Sequence, residues 1–136
     1  MGYQTYPFRV NMNFRIQEEG FILELASDGG RLGIYVFSNG FAANAYIEST
    51  EAHFETFAKK LKDLSFGLRE SVRLEDPQDM NAVVFEALAP EHIHIQGSLA
   101  DEDYYGLRQE LEFEAIVHKK CLRLLFEGRS STTKLD

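Results

Sequence analysis

His92 and His94 stand two residues apart, with Ile93 and Ile95 at the alternate positions. On a strand that spacing sends both imidazoles to one face, where two nitrogens can meet a single metal ion. A metal site needs a further ligand, from His53, His118 or a carboxylate, and no motif places one. Outward histidines over an inward isoleucine pair explain the same pattern without a metal. The expectation is therefore no metal and no cofactor, with a metal- or small-ligand-binding His92/His94 face as the alternative.

A second group is acidic and aromatic. Asp101, Glu102 and Asp103 run into Tyr104 and Tyr105, and Glu110, Glu112 and Glu114 occupy alternate positions just beyond. The stretch from Leu99 to Ala115 holds six acidic residues against one basic residue, Arg108. Adjacent aromatics bordered by carboxylates have the chemistry of an interface anchor and its rim. Like charges along one strand stabilise nothing by themselves. They protect a sheet edge from aggregation, or they steer a basic partner. The spacing of a calcium loop is absent from Asp101–Asp103.

Other reactive residue types lack a chemical setting. Cys121 falls on an apolar stripe, where a buried, inert thiol is the ordinary case. No Ser or Cys has a motif-defined base, and Gly29-Gly30 has the form of a hairpin turn, not a phosphate cradle. No catalytic residue is expected.

The elements that position these groups follow from periodicity. Val10 to Ile16 and Phe21 to Ala26 alternate as strands, and Leu32 to Phe37 is apolar on both parities. Phe41, Ala43, Ala45 and Ile47 line a fourth strand, after an Asn39-Gly40 turn suited to type I′ geometry. A helical pattern then runs from Thr50 to Leu64, with Phe54, Phe57, Ala58, Leu61 and Leu64 on one stripe. Ser49 or Thr50 is its N-cap and Gly67 its left-handed terminus. Strands resume at Leu68–Leu74, Ala82–Leu88, His92–Gln96 (closed by Gly97) and Leu107–Ala115, the last after an exposed loop from Ala100 to Gly106. Val117, Cys121, Leu124 and Leu125 suit a short C-terminal helix capped at Gly128.

These readings predict an α+β fold: one antiparallel sheet of about seven to eight strands in two meanders, with a main helix between the halves. The domain is expected over residues 1–128, with a polar tail over 129–136. Leu32–Phe37 and Ala82–Leu88 call for cover on both sheet faces, supplied by sheet curvature or by a homodimer.

Composition narrows the class. In 136 residues, 44% apolar and 26% charged is ordinary globular chemistry. Twenty-two acidic residues against 14 basic ones give a net charge of −8, which disfavours nucleic acid as a partner and is compatible with a basic protein. One cysteine excludes an internal disulfide. No apolar run approaches membrane-spanning length. The first residues lack a secretory pattern, and Tyr6 stands where a myristoylation signal has Ser or Thr. A cytoplasmic protein without membrane contact is expected.

The segment order resembles that of WapI-type bacterial immunity proteins and their relatives. The matching stretches are Gly33–Phe41, the helix with Phe54, Phe57, Leu61 and Leu64, Ile93–Leu99 and Leu111–Ala115. Such proteins carry an Asp-Gln-Thr/Ser step before the last helix, where this chain reads Ile116-Val117-His118-Lys119. The resemblance implies a non-enzymatic protein that binds and neutralises a toxin domain. Its expected partner-binding residues are Asp101, Glu102, Asp103, Tyr104, Tyr105, Glu110, Glu112 and Glu114.

Overall fold

Two antiparallel meanders, each followed by a helix, make up the described residues. The computed structural model describes residues 13–28, 30–78, 80–102 and 105–127. In the first meander are β1 (Asn13–Glu18), β2 (Phe21–Asp28), β3 (Arg31–Ser38) and β4 (Phe41–Glu48). Helix α1 (Glu51–Ser65) leads to β5 (Ser71–Leu74), β6 (Ala82–Leu88), β7 (His92–Glu102) and β8 (Arg108–His118), then to α2 (Lys119–Glu127). Strand order is sequential in both, β1-β2-β3-β4 and β5-β6-β7-β8. Val10 and Met12, assigned to the first strand, lie outside the described residues, as do Gly29, the proposed Gly128 cap and the 129–136 tail.

Local chemistry sets the element ends. Asn39 (φ 51°) and Gly40 (φ 91°) both take positive φ, the type I′ geometry expected there. Thr50 caps α1: the His53 N–H donates to its Oγ1 at 3.1 Å. At the other end, Leu68 N–H reaches the Asp63 carbonyl (2.8 Å) and Gly67 N–H the Leu64 carbonyl (3.1 Å). This is a Schellman closure around left-handed Gly67.

The sheets are separate, which corrects the expectation of a single one. Both bury one face in a common core. Phe14 of β1 meets Phe54 of α1 at 5.4 Å between centroids, Phe54 meets Phe57 at 6.2 Å, and Phe57 meets Phe85 of β6 at 5.9 Å. Phe21 of β2 also contacts Phe113 of β8 directly, at 6.3 Å. The helix is thus a wedge that both sheets share. Burying Phe54, Phe57, Leu61 and Leu64 contributes on the order of 6–12 kcal/mol before entropy is counted.

Within the chain, the second face of β3 and β6 is covered only in part. Leu32, Ile34 and Val36 are buried, whereas Tyr35 and Phe37 are half-buried. In-plane neighbours shield this second face: Phe37 lies between Ile22 and Ala42, and Tyr35 between Glu24 and Asn44. On β6, Val83 and Phe85 are buried, while Leu88 is exposed.

Four strand boundaries also differ. Gly97 does not close β7, which runs on to Glu102. A Cβ at Gly97 would lie 2.6 Å from the Phe113 ring and 2.5 Å from the Ala82 carbonyl oxygen. The missing side chain makes room for that ring inside the strand. Strand β8 continues past Ala115 to His118, so Val117 is an inward strand residue and not the start of the helix. Leu68 and Leu107, expected as the first residues of their strands, lie outside them and are exposed.

Candidate functional site

The acidic residues meet on the β7–β8 hairpin. Asp101 pairs with Gln109, Glu102 with Arg108, Ala100 with Glu110, Ser98 with Glu112 and Gln96 with Glu114. Strand β8 is an edge of its sheet, so Glu110, Glu112 and Glu114, all exposed, form a strip along that edge. Arg108 Nε donates to Glu110 Oε2 at 2.7 Å. Glu114 is drawn to His94 Nε2, 3.1 Å away. At the hairpin end Tyr105 is 82% exposed. Asp103 and Tyr104 lie outside the described residues. Asp101 and Glu102 belong to β7, not to a loop, because their backbone completes the ladder.

Beside this strip the start of β4 approaches β7 and β8 and leaves a groove of about 430 Å³. Leu99, Ala100, Ala43 and Leu111 form its apolar lining, and Phe41, Asp101 and Glu110 flank it. Asn81, only 6% exposed, holds the two walls together. Its Oδ1 accepts the Ala100 N–H (2.8 Å), and its Nδ2 makes a long bond to the Tyr46 carbonyl of β4 (3.5 Å). The Asp76 carboxylate positions Asn81, accepting its backbone N–H at 2.6 Å as well as the N–H groups of Gln78 and Met80. Sequence reasoning missed Asn81. The available signal was an Asp-Pro turn followed by an amide residue immediately before an apolar strand.

His92 and His94 do share the expected face, but they engage different neighbours. His94 sits between Glu86 of β6 (Nδ1–Oε1, 3.5 Å) and Glu114 of β8 (3.1 Å). His92 lies edge-on to His118, with ring centroids 5.3 Å apart, and His118 Nε2 faces Glu91 at 3.2 Å. Among the described residues, no group of three or more His, Cys, Asp or Glu side chains is arranged to hold a metal ion.

Glu18 ties β1 to the junction of β8 and α2. Its Oε2 accepts the His118 N–H at 2.9 Å and the Cys121 thiol at 3.2 Å. The bond from the His118 amide holds this carboxyl below the usual carboxylate range, against the opposing effect of burial. Burial, then the bond to Glu18, pushes the Cys121 thiol up to about 11. A thiol held neutral in this way is a poor nucleophile, and Cys121 is half-buried where the sequence pattern suggests full burial.

A smaller cleft of about 300 Å³ lies where α1 passes the ends of β4 and β5. Its walls carry charges of both signs, Lys60 and Arg73 with Glu48, Glu75 and Asp76, beside His53 and over Phe57.

Two four-stranded antiparallel meanders sharing one core with an intervening helix define the structural class. The chain is similar in fold to the protein in crystal structures of Trypanosoma bruciei MRP1/MRP2, with a TM-score of 0.52 and 10% sequence identity over 91% of this chain and 86% of that one. At that identity the likeness is one of fold alone. No family model and no curated protein matches the sequence.

Proposed function

We propose that this is a non-enzymatic protein-binding module that engages a basic partner through the β7–β8 hairpin, in the manner of an immunity protein. The observation that carries the reading is the strip of exposed carboxylates at Glu110, Glu112 and Glu114, with exposed Asp101 and the exposed Tyr105 ring at the hairpin end. Carboxylates along a sheet edge attract a basic surface over distance, and an aromatic ring supplies apolar contact area on arrival. The WapI-type resemblance supports the same assignment, with a toxin domain as the partner and the cytoplasm as the place of action. No helix among the described residues is long and apolar enough to cross a membrane.

Pull-down from the source organism, including products of neighbouring genes, tests the proposal. A partner captured at low salt should be lost toward 1 M, as the Debye length falls from about 10 Å at 0.1 M to about 3 Å. Reversing Glu110, Glu112 and Glu114 to Lys should abolish capture. Finding no partner at low salt, or one indifferent to the reversal, counts against the proposal.

A further inference from the structure

The geometry points to the groove between β4 and the β7–β8 hairpin as a receptor for one arginine side chain of the partner. This inference rests on the protein-binding reading above and names the chemistry that docks at its centre.

The groove fits an arginine at each part of that side chain. Ala43, Leu99, Ala100 and Leu111 offer an apolar bed for the three methylenes. Asp101, opposite Gln109 and on the same face as Leu99 and Leu111, lines the groove and supplies a carboxylate that a guanidinium can engage through two parallel N–H groups. Phe41, 67% exposed, presents a ring on which a planar cation stacks. Lysine satisfies the charge, but its strongly hydrated point ammonium neither stacks as a plane nor grips one carboxylate with two parallel bonds. Glu110, on the opposite face of the hairpin, is already engaged by Arg108.

The groove is also held in shape before any partner arrives. The Asn81 amide bonds Ala100 on the β7 side and reaches Tyr46 of β4 on the other. A preformed groove loses less freedom on binding than one that must be assembled.

Amide NMR spectra of the full chain, titrated separately with Nα-acetyl-arginine, Nα-acetyl-lysine and Nα-acetyl-norleucine methylamides, test the assignment. The arginine probe should shift the amides of Phe41–Asn44, Leu99–Asp101 and Gln109–Leu111. Phe41→Ala and Asp101→Asn, both at exposed positions, should each weaken it by about two- to fivefold, the range of an exposed charge pair. Equal binding of lysine removes the guanidinium assignment, and equal binding of norleucine removes the charge assignment. Absent shifts, or shifts spread evenly along β8, overturn the groove. If partner capture survives Phe41→Ala and Asp101→Asn but is lost on the Glu110/Glu112/Glu114 reversal, the groove fails while the protein-binding reading stands. Localised arginine binding with no captured partner gives the opposite result.

Discussion

Asn81 shows how a single buried amide can hold two elements in place. Replacing it with Ala orphans the buried Ala100 N–H and should cost about 1–3 kcal/mol in urea unfolding. Gly97 makes a different demand, for empty space. Gly97→Ala sets a methyl against the Phe113 ring and the Ala82 carbonyl, and should cost about 1–3 kcal/mol or more by thermal melting. Phe113→Leu in the same chain should recover only part of that, since the carbonyl stays where it is. Glu18 and Cys121 set opposite limbs of the pH–stability curve. The folded carboxyl ionises more readily than its ordinary value of 4.5, so its contribution is complete above that value. It is lost as pH falls through the lower folded value. The thiol moves the other way: its contribution is complete below 9.0 and is lost as pH rises toward about 11. Denaturation curves across pH should therefore show a flattened acid limb for Glu18→Gln and a flattened alkaline limb for Cys121→Ser.

Among the elements, α1 carries the greatest packing responsibility. Phe57 lies between Phe54 on its own helix and Phe85 across the core, so its loss separates α1 from the second sheet. Phe57→Ala should cost about 3–5 kcal/mol by chemical denaturation. The β7–β8 hairpin behaves differently. Its carboxylates are exposed, and pairs such as Arg108–Glu110 are worth at most about 1 kcal/mol. Charge reversal there should change partner binding far more than folding, which separates a recognition strip from a structural one.

For the molecule as a whole, a net charge of −8 produces self-repulsion in the folded state. Raising sodium chloride from about 0.1 M to about 0.5 M should raise the melting temperature modestly by screening it. Reversing Glu110, Glu112 and Glu114 to Lys takes the charge from −8 to −2 and should shrink that salt effect. A salt response unchanged by the reversal would place the repulsion elsewhere on the surface.

The amino-acid sequence alone determined what depends on near neighbours. Alternation in β2 and β4, the apolar stripe and Thr50 cap of α1, the Asn39-Gly40 turn and the acidic parity of Glu110, Glu112 and Glu114 are properties of one element read along its own axis. Periodicity also named the inward residues of β7, since a strand's faces alternate wherever the strand lies. Its end was misread because Gly97 looks like a terminator unless the Phe113 ring above it is known. Only the tertiary structure decided which faces meet. The division into two sheets follows from α1 standing between β4 and β5 as a shared wedge. Asn81 reaches Tyr46 across 35 positions, and Cys121 reaches Glu18 across 103. The groove combines β4 with β7 and β8. Such contacts depend on how folded faces pack together, and the spacing of residues within any one element carries no record of that.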